Sequence, residues 1–197
     1  MFKLGITGGI GAGKSTACNF FKKKGASIFN ADNEAKKYLN SNLQLQKKII
    51  NAYDNIYFNN KFNFTKLSEV AFSSKTNQAK LNKIMWPEII KLIEIKAKKA
   101  NKNNCSLFIV DAALLIEADF LDYFDSILLI SALKDIRIQR IINRGGLTLN
   151  QINKRIKLQM TDKEKKKKVN VNIKNNKNLD LFYNDLNLFY NKIKIYF

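Results

Sequence analysis

Gly8, Gly9, Ile10, Gly11, Ala12, Gly13, Lys14 and Ser15 spell GxxxxGKS, a spacing suited to holding phosphate oxygens. Glycines let successive backbone amides turn inward around an anion, and a helix starting at the end of the run adds its positive pole. Lys14 is then placed to reach the β- and γ-phosphates of a nucleotide, and Ser15 to offer its hydroxyl to Mg2+. The alternative is a chance glycine-rich turn. Against it, five of the eight glycines lie within the first thirteen residues, and the run has a strand pattern before it and a helix pattern after it.

Two carboxylates could complete a phosphoryl-transfer site. Asp111 closes the apolar run 107–110. A carboxylate at such a strand end holds a Mg2+ shell opposite a phosphate loop, directly or through a water; capping a following helix is an equal alternative. Asp32 stands just past a second strand, at the sheet edge where ligands of open α/β folds bind. There it could accept a proton from an attacking hydroxyl or orient it, while an ordinary cap aspartate is the plainer role. Arg137, Arg140, Arg144 and Arg155 are the only arginines, and all fall within nineteen residues of a chain that otherwise uses 31 lysines. The forked guanidinium suits phosphate as an ammonium does not, so the cluster reads as a phosphate-clamping lid hinged at Gly145 and Gly146. A solvated helix surface is the alternative.

Composition removes other chemistries. With no histidine among 197 residues, Ser-His-Asp and Cys-His catalysis and His-ligated zinc are excluded. Cys18 and Cys105 are too few for an all-cysteine metal site and read as packed thiols. Acid–base work falls to carboxylates, lysines or tyrosines, and a metal would be a hard cation held by oxygen. The net charge of +19 invites a nucleic-acid partner. The lysines travel with 26 asparagines, however, as compositional drift would produce, and drift spreads charge over solvated faces such as the block 163–168. Small anionic substrates are therefore expected rather than nucleic acid. No apolar run reaches the ~18 residues of a membrane span, so a cytoplasmic protein without membrane contact is expected.

The elements that must position these groups are legible as strand–helix alternation. Residues 3–7 read as a strand, 14–24 as a helix ended by Gly25, and 26–29 as a second strand leading into a helix through Leu39. Residues 41–100 read as helical, with no convincing strand. Residues 107–111 and 126–130 read as buried strands, 137–143 and 149–159 as helices, 169–173 as a candidate fifth strand and 179–196 as an amphipathic closing helix. The expected fold is α/β: a five-stranded parallel sheet covered by helices on both faces. One domain is expected, with core segments 1–40 and 101–136, a helical insertion 41–100, a lid 137–160 and a closing strand and helix in 161–197.

Taken in order, five features resemble the dephospho-CoA kinase family. They are TGGIGAGKST at residues 7–16, Asn30-Ala31-Asp32, Trp86-Pro87, Asp111-Ala112-Ala113-Leu114-Leu115-Ile116-Glu117, and Arg140-Ile141-Ile142-Asn143-Arg144 with Gln159 after it. The resemblance implies a P-loop kinase fold and transfer of the γ-phosphate of ATP, with Mg2+, to the ribose 3′-hydroxyl of dephospho-CoA. By it, residues 8–16, Thr16 included, hold the triphosphate, Asp32 is the catalytic aspartate, Lys14 and Arg140 act on the transferring phosphate, and Arg140 and Arg144 are lid arginines. Asn175 falls near the adenine; Asp32, Trp86, Leu114 and Glu117 fall against the acceptor, and the 41–100 block helps bind the CoA moiety. The chain departs from the family pattern at Asn30, where the family has Asp, at Trp86 (His), at Ala113 (Pro) and at Gly145 (an acidic residue). The alternatives are another small P-loop nucleoside or nucleotide kinase and, from a different class, a basic nucleic-acid-binding ATPase. The lack of an Asn-Lys-x-Asp run argues against a GTPase. The residues leave the oligomeric state open.

Overall fold

In the computed structural model, which describes residues 1–54, 56–58 and 61–197, apolar runs become the strands of a central sheet. The chain runs β1 (Phe2–Thr7), α1 (Lys14–Lys23), β2 (Ser27–Asn30), α2 (Ala31–Ser41), α3 (Leu43–Ile50), β3 (Tyr57–Phe58), β4 (Lys61–Phe62), α4 (Phe64–Ala71) and α5 (Lys75–Lys102). It continues β5 (Leu107–Asp111), β6 (Ser126–Ser131), α6 (Lys134–Arg144), α7 (Leu149–Leu158), α8 (Asp162–Lys166), β7 (Val171–Lys174) and α9 (Leu179–Ile193).

The five main strands pair in parallel in the order β2-β5-β1-β6-β7. Parallel pairing forces every return through a crossover, so helices cover both faces and the strands are apolar on both. Alternation along β5 shows this: Phe108 and Val110 face a core with Phe29, Leu39, Ile49, Ile89 and Ile93, whereas Leu107 and Ile109 face a second core with Leu4, Ile6, Phe21, Leu128, Phe182 and Leu186. Burying one such side chain completely, as for Phe21, contributes roughly 1.5–3 kcal/mol. All five carboxyl ends share one edge, which therefore collects the loop after β1, Asp32 after β2, Asp111 at the end of β5 and the start of α6 after β6.

Three local expectations are corrected. The 41–100 block is not wholly helical: Tyr57–Phe58 and Lys61–Phe62 pair antiparallel as a small separate hairpin. Strands of two residues are too short to show period-2 alternation. The fifth strand begins at Val171 rather than Val169. The lysine block is not all solvated, because Thr161 and Glu164 form a capping box that starts α8 and turns Lys165 inward, fully buried. Thr161-x-x-Glu164 is a helix-start signature that would have found α8 in the sequence. Pro87 sits inside α5, whose 28 residues continue through it. Among the described residues no helix is long and apolar enough to cross a membrane.

Candidate active site

Between β1 and α1 the chain makes a tight loop that only its glycines allow. Gly8 has φ +150, and a Cβ there would collide with the carbonyl of Ile130 on the neighbouring β6. Gly13, at φ +108, is the N-cap of α1, and a Cβ there would collide with the Asn175 side-chain amide. The loop is braced from within and without. Ala12 N donates to Gly9 O at 3.1 Å, Asn175 Nδ2 donates to Ala12 O at 2.9 Å, and Ile10 N donates to Gln159 Oε1 at 3.1 Å. Lys14 Nζ donates to Gly8 O at 3.1 Å, which folds the ammonium back over the loop. Among the described residues no side chain caps α1, and its first turn carries no acidic residue, so its positive end stays available to an anion. Ser15 is exposed beside Lys14 on the first turn.

The two aspartates reach the same sheet edge, Asp111 from the end of β5 and Asp32 from the first turn of α2. β2 and β5 put Asn30 opposite Asp111, and Asn30 Nδ2 donates to Asp111 Oδ2 at 2.7 Å. Asn30 Oδ1 accepts from Asn33 N at 2.9 Å, so Asn30, not an aspartate, caps α2. Asp111 caps no helix, since a run of turns follows β5, and the residue is buried, 5% exposed. Burial pushes the Asp111 carboxyl above its ordinary range, the Lys14 ammonium opposes that, and the charge of Asp32 adds to it. Asp32 itself is exposed on the first turn of α2, near enough for its field to reach Asp111. Behind Asp111, burial drives the Cys18 thiol strongly upward, which keeps it protonated and inert. Cys105 is half-buried and donates to Leu107 O at 3.2 Å.

The arginine cluster divides. Arg140 Nη2 donates to Asn175 Oδ1 at 3.3 Å, and Arg140 Nη1 is buried without a hydrogen-bond partner among the described residues. Arg140, Arg144 and Asn175 line a cleft of about 410 Å3 with Gly11, Gly13, Thr16, Asn143, Lys177 and Leu179, beside the loop. Arg155, in contrast, leaves the cluster and stacks 5.0 Å from the Phe72 ring, tying α7 to the segment after α4. Its part in a four-arginine clamp is thereby corrected. A larger cleft, about 560 Å3, lies elsewhere, near Lys24, Cys105 and Tyr190, and includes none of the loop residues. Arg140→Lys keeps the charge and loses the planar fork, so turnover is expected to fall roughly tenfold or more while thermal unfolding shifts little. Wild-type turnover in that variant, by ADP release, would make the fork dispensable.

A glycine-built anion loop with a free helix pole, a lysine folded over it and two carboxylates at the same sheet edge is what a phosphoryl-transfer enzyme needs. The family model for dephospho-CoA kinase matches residues 2–180. The chain belongs to the dephospho-CoA kinase family. Curated relatives include the dephospho-CoA kinase of Fusobacterium nucleatum, 33% identical over 183 residues and covering 91% of this chain and 92% of its own. That of Bacteroides fragilis is 30% identical over 163 residues, covering 82% and 78%. Among solved structures, dephospho-CoA kinase from Campylobacter jejuni aligns with a TM-score of 0.67 at 26% identity, over 97% of this chain and 96% of that one. Shikimate kinase from Acinetobacter baumannii aligns with a TM-score of 0.56 at 17% identity, over 98% and 94%, a likeness in fold.

The remaining family positions have individual surroundings. Trp86, half-buried on α5, packs against the core that contains Leu39 and Ile89, and Leu114 is half-buried after β5. Glu117 is engaged internally: its carboxylate accepts from Met160 N at 3.1 Å and pairs with Lys165 Nζ at 3.2 Å. Lys165 also donates to Ala113 O at 2.6 Å, and Thr7 Oγ1 reaches the same carbonyl at 3.3 Å. Burial lowers the Lys165 pKa and the Glu117 charge opposes the shift. This chain of contacts joins the end of β1 to the α7–α8 junction. Sequence reasoning missed Lys165 because its burial is tertiary and it sits in a lysine run; Gln159, which takes an amide of the loop, was given no role. Glu117→Gln leaves a buried ammonium without its counter-charge and is expected to cost roughly 3 kcal/mol of unfolding free energy. Urea denaturation reads this directly, and a change below about 0.5 kcal/mol, the range of ordinary surface substitutions, would contradict it.

Proposed function

We propose that this chain transfers the γ-phosphate of ATP to the ribose 3′-hydroxyl of dephospho-CoA, giving coenzyme A and ADP, the last step of coenzyme A synthesis. The observation that carries the reading is that the phosphate loop after β1, Asp111 at the end of β5 and Asp32 just past β2 share one edge of the sheet, in a chain of this family. The loop amides and Lys14 hold the β- and γ-phosphates. Asp32, exposed across the edge, aims the 3′-hydroxyl along the breaking bond and takes its proton as the bond forms. Arg140 and Arg144 close over the triphosphate from the side of the cleft, with Asn175 beneath the base.

The donors available suit a hard divalent cation, since the Ser15 hydroxyl and the Asp111 carboxylate offer oxygen only. Among the described residues no group of three or more His, Cys, Asp or Glu side chains could hold a metal by itself, which fits an ion held jointly with nucleotide phosphates. A Mg2+ ion held there by Ser15 and Asp111 would supply charge neutralisation for the phosphoryl group in transfer. Within the single domain, 41–100 serves as the acceptor-binding insertion, with Trp86 and Leu114 toward the acceptor and Glu117 acting through Lys165 on the shape of that side. Residues 137–160 serve as the lid. The enzyme works in the cytoplasm on small molecules, a setting in which Cys18 and Cys105 stay as free thiols.

ADP release measured with dephospho-CoA, adenosine, AMP and single-stranded DNA tests the reading. Turnover with dephospho-CoA well above the other three is the expected result. Preference for adenosine or AMP would make the protein a nucleoside or nucleotide kinase, and stimulation by DNA alone would make it a nucleic-acid-dependent ATPase.

A further inference from the structure

Arg137 lies one turn before Arg140 on α6, yet it faces a different part of the phosphate loop. Its carbonyl lies so close to Gly11 that a Cβ there would come within 2.6 Å of it, and a Cβ at Gly9 would overlap its guanidinium. The loop and the first turn of α6 are therefore in direct backbone contact, with the guanidinium laid on Gly9. Its only ionic partner among the described residues is Asp162, at 3.6 Å from Nη1 to Oδ1, too long for a hydrogen bond, and the two side chains are 11% and 28% exposed. Arg137 Nε and Asp162 Oδ1 are both buried with no hydrogen-bond partner among the described residues. A largely buried guanidinium with unfilled donors is costly unless something completes it.

The loop itself says which end of a nucleotide comes here. Lys14, whose role in such loops is to reach the β- and γ-phosphates, rests on Gly8 O, which marks the Gly8–Gly9 side as the distal-phosphate side. Arg140, Arg144 and Asn175 line the cleft at Gly11, Gly13 and Thr16, toward the α1 end of the loop. We propose that Arg137 binds the γ-phosphoryl group of the donor from the Gly9 side and that Asp162 positions it, so that the cluster is split between a γ-phosphate arginine and two arginines nearer the base. The inference rests on the kinase reading above. In it, the Nη atoms gain phosphate oxygens as partners when ATP binds. ADP, which lacks the γ-phosphate, leaves those donors unfilled.

The split predicts discrimination between nucleotides, which a merely structural arginine would not give. Affinities of wild type, Arg137→Gln and Arg137→Lys are measured by calorimetry for ADP and for the non-hydrolysable β,γ-imido analogue of ATP, each with Mg2+. Arg137→Gln is expected to weaken the ATP analogue roughly tenfold or more and to leave ADP within about twofold, with Arg137→Lys between the two. Equal weakening of both ligands, or no change in the analogue, overturns the proposal. Should Arg137→Gln fail to fold, Arg137→Lys alone decides by the same comparison, since it keeps the charge and most of the stem. Wild-type transfer to dephospho-CoA is measured on the same preparation. Its absence strikes the kinase reading, whereas normal transfer with undiscriminating Arg137 variants strikes only this inference.

Discussion

Lys14→Ala is expected to lower phosphoryl transfer by roughly 10²–10³-fold, the size of effect seen when one preorganised charge donor is lost from a developing anion. The fold should survive. The loop conformation is set by Gly8 against Ile130 and Gly13 against Asn175, not by the lysine, whose one hydrogen bond among the described residues is to Gly8 O at 3.1 Å. Lys14 also opposes the rise that burial imposes on the Asp111 carboxyl, so its loss disfavours the ionised carboxylate that a cation needs. Both effects act in the same direction on turnover. Initial rates of ADP release, with circular dichroism and thermal unfolding as the fold control, measure the variant. A rate near that of wild type would remove the phosphate-loop assignment.

How much of this was legible depended on whether a feature is local. The GxxxxGKS spacing and the apolar runs of β1, β5 and β6 carry their meaning within a few residues, and the parallel sheet follows from strand–helix alternation, as observed. Asp111 was ambiguous in sequence between a cap and a metal holder; the run of turns after β5 leaves no helix there for it to cap, and Asn30 on the paired strand β2 donates to its carboxylate. No one-dimensional pattern could supply that register. Lys165 shows the reverse case: a solvated run is a sound expectation for consecutive lysines, and one of them is buried because Glu117 and Ala113 O wait beneath it. Arg155 likewise found an aromatic ring from another segment rather than a phosphate. The β3–β4 hairpin was too short to register at all.

Asp32→Asn is the second large expected effect, and it separates acceptor chemistry from donor binding. The substitution keeps the size of the side chain and one acceptor oxygen while removing the charge. Asp32 is exposed on the first turn of α2, outside the glycine loop proposed to hold the donor, and it does not cap the helix, since Asn30 does. ATP affinity should therefore change little. Transfer to dephospho-CoA should fall by roughly 10²-fold or more, in the range of a lost general base. ATP binding and transfer are measured on one preparation. Lost ATP binding would assign Asp32 to the metal or the fold, and unchanged transfer would remove it from the mechanism.

The central claim is that the phosphate ends on the ribose 3′-oxygen of dephospho-CoA. Phosphorus NMR of a reaction containing the enzyme, Mg2+, ATP and dephospho-CoA tests this most directly, because a phosphomonoester couples to the ribose proton on the carbon that bears it. A new phosphomonoester signal coupled to the 3′ proton, growing in step with ADP, is the predicted result. Phosphate at another position, or ATP consumed with dephospho-CoA unchanged, would contradict it.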